Sequence, residues 1–183
     1  QWSNCGTTLE GQFVSLALTV DNDLYLAYNH NTGLSSTDGL TVQYFNVGLN
    51  AFQAVGTAPI AAAGMASSIV LCADSSDLYL AFVDSLQNNK LSVMQYDGTS
   101  WNYLGNAGLT ASAVNSLSFE VIEGTPFVAF DDADYNFSAS VMHYDSNTWA
   151  YYGAAGFSTS AVEAVSLAQK DGEVYVAFKK SND

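Results

Sequence analysis

The chain has 183 residues and carries 18 acidic side chains against four lysines and no arginine, a formal charge of −14. That balance excludes nucleic acid and anionic membrane surfaces as partners, because phosphates are met by Lys and Arg. Apolar residues make up 49% and aromatics 13%, enough to build a core in spite of the charge, and no apolar run reaches the length of a membrane-spanning helix.

Taken in chain order, the predicted elements repeat. The chain opens on an aromatic followed four residues later by glycine, Trp2 and Gly6, and this outer-strand motif returns as Phe52 and Gly56, Trp101 and Gly105, and Trp149 and Gly153. After each comes a first segment, Ser15–Leu18, Ser68–Leu71, Ser116–Phe119 and Ser166–Ala168. A second segment follows at Tyr25–Tyr28, Tyr79–Phe82, Phe127–Phe130 and Tyr175–Phe178, and a third at Leu40–Val42, Leu91–Tyr96 and Ser140–Tyr144. Each is short, rich in β-branched and aromatic residues, and bounded by Gly, Asn, Asp or Ser, which marks strands. Asp97-Gly98 between a third strand and the next aromatic is a hairpin signal.

Four short antiparallel strands per unit describe a β-propeller blade. The chain is therefore predicted to be all-β, a single propeller of about four blades with repeat units 2–51, 52–100, 101–148 and a truncated 149–183. The recurring Ala27, Ala81, Ala129 and Ala177 fit blades packed face to face, and the repeated aromatics are assigned to packing between blades. The fourth unit lacks a third strand, so its blade would be split between the termini and one strand short. Three arrangements are open. The Trp2 segment shifts inward, a neighbouring subunit supplies a strand and builds a filament, or further blades belong to a longer protein. The predicted assembly edge is Trp2, Gly6, Tyr175, Val176 and Phe178.

The pattern Ser-Leu-Ala, Tyr-Val-Ala-Phe-Asp, Val-Met-x-Tyr-Asp-Gly-x-x-Trp and Gly-x-Ala-Gly-Phe-Ser, clearest over 68–108 and 116–157, resembles a propeller repeat of secreted and cell-surface proteins in bacteria, algae or protists. The resemblance covers nearly the whole chain and implies a propeller outside the cell or on its surface. The scarcity of lysine beside many Ser, Thr, Asn, Gly and Tyr residues points the same way. A fold of this kind does not fix an activity.

Catalytic signals are sparse. His30 is predicted in the loop after a second strand and His143 on a strand surface, and no nucleophile elbow, phosphate loop or zinc helix occurs. Tyr96-Asp97-Gly98-Thr99-Ser100-Trp101 departs from the Asp box of sialidase propellers, since Asp stands directly before Gly. The strongest polar cluster is Asp131 to Asn136. Asp132, Asp134 and Asn136 alternate as in calcium loops, Tyr135 beside Asp134 is a candidate glycan platform, and Asn136-Phe137-Ser138 is a glycosylation sequon. Cys5 and Cys72 fall on opposite blades and are expected as free thiols. The expectation is a non-enzymatic extracellular assembly module that self-associates into an oligomer or filament. A carbohydrate-binding propeller is the alternative. A glycosidase using Asp84, Asp131 and Asp132 comes third.

Overall fold

A computed structural model describes residues 11–31, 38–60, 64–75 and 77–181. The fold is all-β and built from four antiparallel sheets, as the repeat predicts. The first sheet holds β1 (Gly11–Leu18), β2 (Leu24–His30), β3 (Gly39–Asn46) and β4 (Ala51–Ala54). The second holds β5 (Ala66–Asp74), β6 (Asp77–Asp84), β7 (Lys90–Tyr96) and β8 (Trp101–Tyr103), and the third holds β9 (Leu117–Ile122), β10 (Thr125–Asp132), β11 (Ser138–Asp145) and β12 (Thr148–Tyr151). The fourth pairs β13 (Val162–Lys170) with β14 (Glu173–Lys180). The predicted Trp2 strand, with Trp2 and Gly6 of the assembly edge, lies outside the described residues.

Within each four-stranded sheet the strands pair in chain order. The β1–β2, β5–β6 and β7–β8 turns therefore line one rim of the array, and the β6–β7 and β10–β11 turns line the other. The inner strands β1, β5, β9 and β13 stand side by side. Ala27, Ala81 and Ala129 at the centres of β2, β6 and β10 are fully buried. Three clusters fill the spaces between sheets: Leu40, Leu71 and Phe82 between the first and second, Val93, Phe119 and Phe130 between the second and third, and Phe127, Val141 and Leu167 between the third and fourth. Inner-strand serines stitch neighbours together: Leu71 N–H donates to Ser15 Oγ at 2.9 Å, and Leu167 N–H to Ser118 Oγ at 2.9 Å.

The outer-strand motif has a mechanical basis. The Trp101 indole N–H donates to the Val55 carbonyl of the preceding sheet at 3.0 Å, and that of Trp149 donates to the Leu104 carbonyl at 2.7 Å. Each indole also packs on a tyrosine of its own sheet, Trp101 on Tyr96 and Trp149 on Tyr144, with ring centroids 5.4 Å apart in both. The glycine after each acceptor carbonyl makes the approach possible. A Cβ on Gly105 would lie 3.0 Å from Trp149 Cδ1, and one on Gly56 would lie 3.4 Å from Trp101 Cδ1. Both glycines also have left-handed φ, +83° and +75°, which costs an L residue about 1–2 kcal/mol.

Gly105→Ala therefore combines backbone strain with displacement of an indole. Gly124, at φ +77° in the β9–β10 turn, would set its Cβ in open space with nothing within 4 Å, so a substitution there carries strain alone. By urea denaturation Gly105→Ala is expected to cost about 2–3 kcal/mol and Gly124→Ala about 1 kcal/mol. Equal losses at the two positions would contradict the latch.

Candidate functional site

Among the described residues, a hollow opens between the first and second sheets, on the rim formed by the β5–β6 and β7–β8 turns. It is a cavity of about 630 Å³ walled by Tyr25 and Tyr44 from the first sheet and Tyr96 and Tyr103 from the second, with Asp77, Gln95, Asp97 and Asn102 at its edge. The space has a packing cause. At the next interface Phe119 stacks against Tyr79, ring centroids 6.2 Å apart, and Leu104 follows the outer strand. Here the equivalent places hold the smaller Leu71 and Val55, so the tyrosines line a hollow instead of filling it.

Several walls are fixed in place. Tyr44 donates its hydroxyl to Gln53 Oε1 and accepts from Asn46 Nδ2 at 3.3 Å. Tyr103 donates to Asp84 Oδ2 at 2.9 Å. Tyr25 lies 6.3 Å from Tyr44, ring to ring. Asp97 closes the β7–β8 turn by accepting from the backbone N–H groups of Thr99 and Ser100 at 2.8 and 2.7 Å and from Asn102 Nδ2 at 2.8 Å. The Ser100 and Thr99 amides hold its carboxyl below the ordinary 3.8, so it is a carboxylate at neutral pH. The hydroxyls of Tyr25 and Tyr96 and the carboxylate of Asp77 have no hydrogen-bond partner among the described residues.

The Asp-rich loop lies on the opposite rim. Asp132 caps the 3-10 turn Ala133–Tyr135, and Asn136 ends it at φ 56°, the left-handed region Asn tolerates. Asp132 is buried, with Oδ1 accepting from Asp134 N–H and Oδ2 from the hydroxyls of Ser140 and Tyr151. Asp84 repeats the arrangement with Leu86 N–H, Ser92 and Tyr103. Asp131 accepts from the backbone N–H groups of Asn115 and Ser116 and from the Asn115 side chain. The three carboxylates suggested for glycosidic chemistry are thus buried and spent on protein donors. Of the calcium set, Asp134 accepts from Ser112 Oγ at 2.6 Å and Asn136 is exposed. Among the described residues, no group of three or more His, Cys, Asp or Glu is gathered as for a metal.

Tyr135 is half-exposed and lies edge-on to Tyr151, over Gly156, where a Cβ would come within 2.5 Å of it. On the assembly edge Tyr175 is exposed, Val176 packs into the third interface, and Phe178 meets Phe157 at 6.1 Å. His30 ends β2 opposite Gly39 and does not lie in the following loop, a correction of its predicted place. His143 packs with Phe127 and Tyr152, ring centroids 5.6 and 5.3 Å away. Cys72 is a thiol raised in pKa by burial, and Cys5 lies outside the described residues.

No protein-family model and no curated protein matches the chain. Solved structures share its fold. It is similar to the sialidase of Trypanosoma rangeli (TM-score 0.59, 12% identity, 88% of this chain and 28% of that one). It is also similar to a family 117 glycoside hydrolase of the marine bacterium Zobellia galactanivorans (0.58, 13%, 98% and 69%) and to the endo-arabinase of Bacteroides thetaiotaomicron (0.55, 10%, 97% and 73%). The chain spans less than a third of the sialidase and about seven tenths of the other two. The fold is that of β-propellers. The expectation of a non-enzymatic module is overturned, because the structures that share this fold over nearly the whole chain include a family 117 glycoside hydrolase and an endo-arabinase. Among the described residues no helix is long and apolar enough to cross a membrane.

Burial, with Asp84 and Asp132 accepting their hydrogen bonds, pushes the Tyr103 and Tyr151 hydroxyls far above the ordinary 10.0. Stability from these neutral phenols is whole below about pH 10 and is lost as pH rises above it, where the unfolded chain ionises first. Urea unfolding measured from neutral to strongly alkaline pH should show that decline. A Tyr103→Phe, Tyr151→Phe double variant should lose about 1 kcal/mol per site at neutral pH and decline less steeply. An unchanged alkaline slope in the variant would contradict the assignment.

Proposed function

We propose that the chain is a carbohydrate-recognising propeller unit that takes a glycan into the cavity between its first and second sheets. The observation that carries this reading is the cavity itself, with four tyrosine rings for walls and Asp, Asn and Gln at the mouth. A sugar ring offers an apolar C–H face and a circumference of hydroxyls. The tyrosines present flat apolar surface to the first, and Asp77, Asn102 and the Tyr25 and Tyr96 hydroxyls present acceptors and donors to the second. The sheets hold this lining in place before any ligand arrives, which keeps the ordering cost of binding low. The likeness to glycoside hydrolases supports the choice of ligand class through the fold. A site of action outside the cell belongs to the same reading and is supported by the lysine-poor composition and the repeat pattern.

A second reading, hydrolysis of the bound glycan, is favoured by one observation: two carboxylates, Asp77 and Asp97, border the same cavity. Glycoside cleavage commonly uses such a pair. Release of reducing ends from a bound oligosaccharide, lost in Asp77→Asn, would support it, and intact sugar after prolonged incubation would oppose it.

Binding is tested by titrating oligosaccharides into the protein and recording heat and tyrosine-ring NMR shifts. Tyr25→Ala and Tyr44→Ala are each expected to weaken affinity about tenfold, near 1.4 kcal/mol, while Tyr135→Ala on the opposite rim leaves it within about twofold. A loss with Tyr135→Ala and none with Tyr25→Ala would move the site to the other rim.

A further inference from the structure

The cavity's charge is as pronounced as its aromatic lining. Both ionisable groups at its mouth other than tyrosine are carboxylates, Asp77 and Asp97, and none of the four lysines borders it. Asp97 is tied into its turn by three hydrogen bonds and stays in place as an anion. The turns on this rim add Asp21 and Asp23 between β1 and β2 and Asp74 beside Asp77. Burial raises the pKa of the Tyr25 hydroxyl, and the charge of Asp23 adds to it. An acidic sugar would have to bring its carboxylate into this field with no guanidinium or ammonium to receive it, and burying such a charge unpaired is costly.

Aromatic rings add the opposite preference. The face of a tyrosine attracts a cation within about 6 Å of its centroid, and Tyr25 and Tyr44 stand on one side of the hollow with Tyr96 and Tyr103 on the other. A cationic group here meets ring faces and a carboxylate together. We infer that the Tyr25, Tyr44 and Tyr96 cavity, with Asp77 and Asp97 at its mouth, selects glycans by charge: it prefers sugars bearing a free amine over their N-acetylated or neutral counterparts and rejects acidic sugars. The inference rests on the carbohydrate reading above and names its ligand class.

The probes are three tetrasaccharides: that of glucosamine, its fully N-acetylated form, and that of galacturonic acid. They are titrated into the whole chain by calorimetry at about pH 5.5, where carboxylates are ionised and amines keep their protons. The glucosamine tetramer should bind about five- to tenfold more tightly than the N-acetylated one, and the galacturonate tetramer at least tenfold more weakly than either. Raising salt from about 0.05 M to about 0.5 M should shrink the amine's advantage. Asp77→Asn should reduce the ratio of the two affinities, and the salt series on the unaltered protein tests the charge effect even if that variant misfolds. Equal affinity for amine and N-acetyl forms, or galacturonate binding as tightly as either, would overturn the charge selection while leaving the carbohydrate reading in place. Failure of all three sugars to bind would overturn both.

Discussion

The structure depends on one repeated contact, the seating of the Trp101 and Trp149 indoles on the carbonyl and glycine that end the outer strand before each. Sheets with two apolar faces must bury both, and flat faces alone do not fix how far one sheet slides over the next. The Trp101 bond to Val55 and the Trp149 bond to Leu104 set that offset at the periphery. Serine hydroxyls on the inner strands set it near the axis. At the first interface both ends are pinned, and the small alanines at the sheet centres bring the sheets into close contact.

A hollow arises where this regularity is relaxed. The latch is present at the first interface, yet Leu71 and Val55 occupy less volume there than Phe119 and Leu104 do at the second. The pinned sheets cannot collapse to fill the difference, so the tyrosines around it stay apart and line a hollow. The turn beneath is stiffened by Asp97, which collects three donors and is thereby kept ionised. Shape and charge at the mouth of the cavity thus follow from a few departures in an otherwise repeated pattern.

The strands and their order were legible in the sequence because each is specified locally, by short apolar runs and turn residues that recur at one spacing. The Trp and Gly pairs were legible for the same reason, although the contact joining one unit's glycine to the next unit's tryptophan is not visible in a single repeat. The cavity was not legible. It depends on Tyr44, Leu71 and Val55, positions where the first and second units differ from their successors, and a reading built on recurrence weights such differences least. The partners of the Asp-rich loop were hidden for a complementary reason. The hydroxyls that consume Asp132, from Ser140 and Tyr151, lie 8 and 19 residues away in sequence, and only the folded sheet brings them to it.

The proposed ligand site is the tyrosine-lined space between the first and second sheets. A crystal structure with the glucosamine tetramer bound tests it most directly. A sugar ring should lie against Tyr25 and Tyr44 with polar contacts to Asp77 and Asn102. Density for the sugar on the Tyr135 loop or along the inner strands, with this space unchanged, would contradict it.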